Sequence, residues 1–121
     1  MSGFDGLHLM GNLHGCDNAE GLLCEIETLR DHCLRKVEEA GLIAVGECFH
    51  QFGEKGGVTG VVVLAESHIS IHTWPEKNYV TLDVFVCNMH SNNRNKAIHL
   101  FDALVSPFNP AEKRLYRVER N

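Results

Sequence analysis

A chain of 121 residues, 44% of them hydrophobic, has room for one domain, residues 1–121, built on a single modest core. Its net charge is −5 with both signs interspersed, which argues against a nucleic-acid surface, because such a surface needs a basic stripe. No apolar run approaches the roughly 20 residues of a membrane span, and Met1-Ser2-Gly3-Phe4-Asp5 has neither the basic nor the apolar part of a signal peptide. The five cysteines, Cys16, Cys24, Cys33, Cys48 and Cys87, are odd in number and include no C-x-x-C pair. A disulfide framework is therefore not expected, and a reducing cytoplasm is the expected home.

Leu7 to His14 reads as a short strand, with Leu7, Leu9 and Gly11 on one face. Asp17-Asn18 offers a helix N-cap, and Glu20 follows Asp17 by three residues in the manner of a capping box. The helix is predicted from about Ala19 to Ala40. Leu22, Ile26, Leu29, Cys33 and Val37 make its buried stripe, and Gly41 is placed to end it in a left-handed cap. Leu42 to Gln51 alternates as a strand, and Gly53-Glu54-Lys55-Gly56-Gly57 is a glycine-rich loop. No Lys-Ser/Thr pair follows it, so it is a connection and not a phosphate loop. Thr59 to Ala65 is β-branched, as a buried strand should be. From Ser67 to Trp74, Ile69, Ile71 and Thr73 alternate with His68, Ser70, His72 and Trp74. Pro75 ends that strand and Lys77-Asn78 fits a turn. Tyr79 to Cys87 sets Leu82, Val84 and Val86 opposite Thr81, Asp83, Phe85 and Cys87. A second helix is predicted over about Asn93 to Val105, before Pro107, and a last strand over Lys113 to Val118. The order β-α-β-β-β-β-α-β predicts an α+β fold: a two-layer sandwich, with a mainly antiparallel sheet covered on one face by two helices.

The reactive side chains concentrate in Glu66-Ser67-His68-Ile69-Ser70-Ile71-His72-Thr73-Trp74-Pro75-Glu76, with Cys87 shortly after. His68 and His72 have the i, i+4 spacing of two zinc ligands on a helix. On a strand they stand about 13 Å apart at roughly 3.3 Å per residue, so no metal site is expected. Ser67 lies outside any G-x-S-x-G elbow, and the chain is short for an α/β-hydrolase. Taken singly, Ser67 is a polar strand start, Cys87 a small buried hydrophobe and His72 a core histidine. Together they read as an active site.

The run Gly57-Val58-Thr59-Gly60-Val61-Val62-Val63, the motifs Glu66-Ser67-His68 and Ile71-His72-Thr73-Trp74-Pro75-Glu76, and Asp83-Val84-Phe85-Val86-Cys87 resemble the prokaryotic S-adenosylmethionine decarboxylases of the small, metal-independent type. Gly6-Leu7-His8-Leu9, Gly15-Cys16-Asp17 and Phe49-His50-Gln51-Phe52 are similar to that family as well. The resemblance reaches to about Cys87, and the later part is ordinary.

The resemblance implies a self-processing proenzyme with a pyruvoyl cofactor made from Ser67. The Ser67 hydroxyl attacks the Glu66 carbonyl, and the ester breaks by β-elimination. Dehydroalanine then hydrolyses to the ketone, leaving chains 1–66 and 67–121. By the same resemblance His72 serves processing and Thr59 assists it, standing where the family usually has serine. The ketone forms a Schiff base with the substrate amine and acts as an electron sink, and Cys87 is the proton donor. Glu76 holds the ribose hydroxyls of S-adenosylmethionine, and Phe52 and Phe4 are candidate walls against adenine. For Phe52, core packing stands as the alternative. The family forms homodimers of processed protomers with active sites at or near the interface, and its product feeds spermidine synthesis.

Three departures bear on the substrate. The loop at Gly53 to Gly57 is one residue longer than usual, Asn12 stands where the family has an acid, and Asp5 stands where it has an apolar residue. An acid there could pair with the distal cation of arginine or ornithine, substrates to which some members have shifted. A catalytically silent regulatory paralogue is a third possibility, against which the joint presence of Ser67, His72 and Cys87 argues.

Overall fold

A computed structural model describes residues 5–87 and 93–120. Its strands are β1 (Gly6–His14), β2 (Ala44–Gln51), β3 (Val58–Leu64), β4 (Ser67–Trp74), β5 (Tyr79–Cys87) and β6 (Glu112–Arg120), and its α-helices α1 (Glu20–Cys24), α2 (Ile26–Glu39) and α3 (Arg94–Val105). The strands form one sheet in the order β2-β3-β4-β5-β1-β6. Every neighbouring pair is antiparallel. The expected two-layer α+β sandwich is therefore present.

Alternation along the strands divides the sheet into two faces. Leu7, Leu9 and Leu13 of β1, Val58 and Val62 of β3, Ile69 and Ile71 of β4, and Val80, Leu82, Val84 and Val86 of β5 are all buried. They meet Leu29, Cys33 and Val37 of α2 and Ala97, Leu100, Phe101 and Leu104 of α3. Among the described residues, no helix covers the opposite face of the sheet. It presents His8, Met10, Val61, Val63, His68, His72, Phe85, Tyr116 and Val118, of which Val61, Val63, Tyr116 and Val118 are 36–52% exposed.

Two features depart from the expected elements. The long first helix is broken: Glu25 is extended (φ −125°, ψ 108°) between α1 and α2. The Asp17 cap is not used, since α1 begins at Glu20 with Ala19 in the cap position. Leu29, Cys33 and Val37 of the predicted stripe are buried, while Leu22 and Ile26 pack partly against the core. Gly41 does end α2 in the left-handed conformation, at φ +80°. Its N–H donates to the Glu38 carbonyl (3.0 Å) and that of Leu42 to the Val37 carbonyl (3.1 Å), a Schellman motif. None of the helices among the described residues is long and apolar enough to cross a membrane.

His32 joins α2 to α3. It is buried, and its Nε2 lies 3.2 Å from the Leu104 carbonyl oxygen, so the neutral ring donates there. Burial lowers its pKa from 6.5; the Leu104 bond opposes that effect and Lys36 and Arg35 reinforce it. A lowered folded-state pKa means that the unfolded chain binds the proton more tightly, so His32 supports the fold fully above pH 6.5 and less as the pH falls below that value. An NMR titration should place the His32 midpoint below 6.5, with unfolding free energy declining across the same interval; a midpoint at or above 6.5 would contradict the burial argument.

Candidate active site

The β3–β4 hairpin turns in two residues, Ala65 and Glu66. Glu66 takes φ +69°, a left-handed conformation that costs a residue with a Cβ on the order of 1 kcal/mol. The Ala65 N–H donates to the Ile43 carbonyl (3.2 Å), which fixes the turn against the chain leading into β2. Ser67 follows at once, half-buried, and its Oγ accepts the backbone N–H of Cys87 at 3.0 Å. Antiparallel pairing of β4 with β5 makes this contact, because the register that joins His68 to Phe85 carries Ser67 to the end of β5. The Ser67 hydroxyl, the Cys87 backbone and the left-handed turn residue Glu66 thus share one corner of the sheet.

The second group lies at the far end of β4. Thr59 and His72 are directly opposed across β3 and β4, and Thr59 Oγ1 is 3.1 Å from His72 Nδ1. They border a cavity of about 340 Å³ that Phe52, Trp74 and Glu76 also line. Glu76 is exposed on the single helical turn Pro75–Lys77, and Asn78 at φ +49° returns the chain into β5. Phe52 is 60% exposed, which removes the core-packing alternative; its ring stands edge-on to His50 at 4.6 Å between centroids. Trp74 is tilted against Tyr79 at 5.3 Å and against His72 at 6.0 Å.

One chain therefore gathers the candidate residues into two separate groups. Ser67 and Cys87 are together, and Thr59, His72, Phe52 and Glu76 are together. Ser67 and His72 are five residues apart on one strand, about 16 Å at roughly 3.3 Å per residue. Asp5 belongs to the Ser67 end, since the adjacent Gly6 pairs with Cys87. The Arg94 guanidinium is held above its ordinary pKa, first by its bond to Glu119 and to a lesser degree by Asp5. Phe4 lies outside the described residues. Asn12 sits on the open face near the His14 end of β1, opposite Thr81 and Arg114. His68 and His72 fall on one strand as expected, and no group of three or more metal-ligating side chains occurs among the described residues.

Thr73, Gln51 and Gly57 were not singled out by the sequence, yet they shape the cavity. Thr73 Oγ1 accepts the Val58 N–H (2.9 Å) and donates to the Leu23 carbonyl (2.7 Å). Gln51 Nε2 donates to the carbonyls of Cys24 and Gly56. A Cβ on Gly57 would collide with the Thr73 carbonyl oxygen. The available signal was Thr73 itself, a hydroxyl in the apolar row of Ile69 and Ile71.

The arrangement has close counterparts. Residues 7–121 match the family model described as S-adenosylmethionine decarboxylase, so the match runs past Cys87 through α3 and β6. The chain is 36% identical to the S-adenosylmethionine decarboxylase proenzyme of Pyrobaculum aerophilum, covering 96% of this chain and 88% of that one. It is 39% identical to the proenzyme of the same name from Archaeoglobus fulgidus, over 95% and 96%. The crystal structure of the adenosylmethionine decarboxylase from Aquifex aeolicus superposes with a TM-score of 0.87 at 34% identity, over 100% of this chain and 93% of that one. With the same fold and a match over nearly all its length, the chain belongs to the S-adenosylmethionine decarboxylase family.

Proposed function

We propose that the chain is a proenzyme that cuts itself between Glu66 and Ser67 and then decarboxylates S-adenosylmethionine. The observation that carries this reading is the corner where the left-handed Glu66, the Ser67 hydroxyl and Cys87 meet. Ser67 Oγ, oriented by the Cys87 N–H, bonds to the Glu66 carbonyl carbon as the Glu66–Ser67 amide bond breaks, and the freed nitrogen takes up the proton. Relief of the Glu66 backbone favours that exchange. Loss of the Ser67 α-proton to a base then expels the Glu66 carboxylate, so residues 1–66 separate from residues 67–121. Water replaces the Ser67 nitrogen, which leaves as ammonia, and the remaining ketone is the pyruvoyl group. Ser67 fits that group, being half-buried at the head of β4 and the first residue of the downstream chain. When formed, the group withdraws electrons from the substrate amino acid as CO2 leaves.

The other residues have roles that their positions support. Cys87 lies beside Ser67, where its thiol returns a proton to the carbon that lost CO2. Glu76, exposed at the cavity rim, accepts two hydrogen bonds from the ribose hydroxyls. Phe52 offers a ring face to adenine. His72, with Thr59 on its Nδ1, is the base for the Ser67 α-proton. Because His72 is about 16 Å from its own Ser67, it acts on a second copy. Two copies that stack their open faces about a two-fold axis bring the Ser67 end of one over the His72 end of the other. The exposed Val61, Val63, Tyr116 and Val118 supply apolar area for that contact. Arginine and ornithine are weaker candidates, because the matching family model and the named relatives are S-adenosylmethionine decarboxylases. The product supplies the aminopropyl group for spermidine, in a reducing cytoplasm that suits five free cysteines.

Replacing Cys87 with alanine separates the two stages. The variant is expected to cleave into two chains on a denaturing gel, while its CO2 release from S-adenosylmethionine falls by about 10²–10⁴-fold. Full decarboxylation without the thiol would remove Cys87 from the mechanism.

A further inference from the structure

We infer that Thr73 is a positioning residue for the substrate cleft, acting through the two hydrogen bonds that its hydroxyl makes to Val58 and Leu23. This rests on the reading of the cavity at Phe52, Trp74 and Glu76 as the seat of the nucleoside half of S-adenosylmethionine. Thr73 is one of the residues that line that cavity, yet it is only 3% exposed, and its hydroxyl is bonded into the helix layer at the Leu23 carbonyl. Among the described residues only Thr73 and His32 are polar and buried to that degree. A threonine in a row otherwise filled by Ile69 and Ile71 needs a reason, since a buried hydroxyl is tolerated only when it is bonded.

The reason lies in how the cavity opens. The β3–β4 ladder runs from the Leu64–Ser67 pair to the Thr59–His72 pair and ends there. One step further on, the Val58 N–H turns to the Thr73 side chain in place of a strand carbonyl. Beyond it Gly57 closes on the Thr73 backbone carbonyl, an approach that only glycine permits. The strands thus stop pairing at the floor of the cavity, with the Phe52 loop on one side and the Trp74–Glu76 turn on the other. The same Thr73 hydroxyl donates to Leu23 at the end of α1. Gln51, immediately before Phe52, takes the next carbonyl, Cys24, and also holds the loop at Gly56. Two side chains from opposite walls are therefore tied to consecutive carbonyls of one short helix. That shared anchor fixes how far apart the adenine wall and the ribose carboxylate stand.

The test compares Thr73→Val, which keeps the shape and deletes the hydroxyl, with Thr73→Ser, which keeps the hydroxyl. Steady-state CO2 release is measured with S-adenosylmethionine, and binding of 5′-methylthioadenosine, which carries the nucleoside without the amino acid, is measured by calorimetry. Thr73→Val is expected to raise KM for S-adenosylmethionine about 10-fold, with kcat within about 3-fold of the parent, and to weaken methylthioadenosine to the same degree. Thr73→Ser should restore both. Gln51→Met, which cuts the second tether, should shift KM in the same direction and serves as the test if Thr73→Val does not accumulate as cleaved enzyme. A lowered melting temperature with KM and nucleoside affinity unchanged would overturn the inference and leave Thr73 as packing. Serine behaving like valine would overturn it too, as would an unshifted KM in Gln51→Met. If the unaltered protein neither releases CO2 from S-adenosylmethionine nor binds the nucleoside, the functional reading itself fails, and the positioning role with it.

Discussion

Ser67→Ala is expected to remain one intact chain on a denaturing gel and to release no CO2 from S-adenosylmethionine above background. The magnitudes separate this from a folding defect. Removing the hydroxyl costs the Cys87 N–H one hydrogen bond at a half-buried position, about 0.5–1.5 kcal/mol. A domain with a stability of roughly 5–15 kcal/mol survives that loss. The proposed cleavage does not survive it, because in that chemistry the oxygen of Ser67 is both the attacking atom and the atom expelled. Alanine offers neither, and no neighbouring hydroxyl stands in the turn. The variant should therefore melt near the parent and fail completely at cleavage and turnover. Cleavage persisting in Ser67→Ala would assign the break to another position or to proteolysis.

Two processing-defective variants, when paired, should restore cleavage of one of them. His72→Ala alone is expected to process about 10²–10⁴-fold more slowly than the parent, the usual loss on removing a positioned base. Ser67→Ala alone does not process. In a mixed dimer the His72→Ala chain brings its own Ser67 and Cys87 and receives the partner's His72 and Thr59. That site is complete, and the opposite one lacks both Ser67 and His72. When the two chains are produced together in equal amounts with distinguishable tags, roughly half of the His72→Ala chain should be cleaved, the share that random pairing places in mixed dimers. The Ser67→Ala chain should remain whole. The basis is the strand itself: five residues of extended backbone hold Ser67 and His72 about 16 Å apart, beyond the reach of a proton transfer. If His72 served its own chain, the mixture would cleave no faster than the His72→Ala chain alone.

Much of this was legible in the sequence, and the exceptions have physical causes. Alternation fixed the faces of β1, β4 and β5, because a strand buried on one side must repeat every two residues. Gly41 was readable because a left-handed helix end favours a residue without a Cβ. The break at Glu25 was not readable, since the surrounding residues are good helix formers. The sheet overrides that propensity: Thr73 and Gln51 bind the carbonyls of Leu23 and Cys24. The place of β1 between β5 and β6 is likewise a matter of long-range pairing that no local pattern records. At the site, Ser67, His72, Cys87 and Glu76 stood out by type and motif. Their division into two groups was implicit in the strand spacing between Ser67 and His72. The supporting role of Thr73 was hidden, because one hydroxyl in an apolar row has no partner until the fold supplies Val58 and Leu23.

The most direct measurement is CO2 release from carboxyl-labelled S-adenosylmethionine, arginine and ornithine, each offered separately to the purified, cleaved protein. Release from S-adenosylmethionine alone is the predicted result and would give Glu76 and Phe52 their nucleoside. Release only from arginine or ornithine would contradict the substrate while keeping the chemistry of Ser67, and release from none of the three would contradict the enzyme itself.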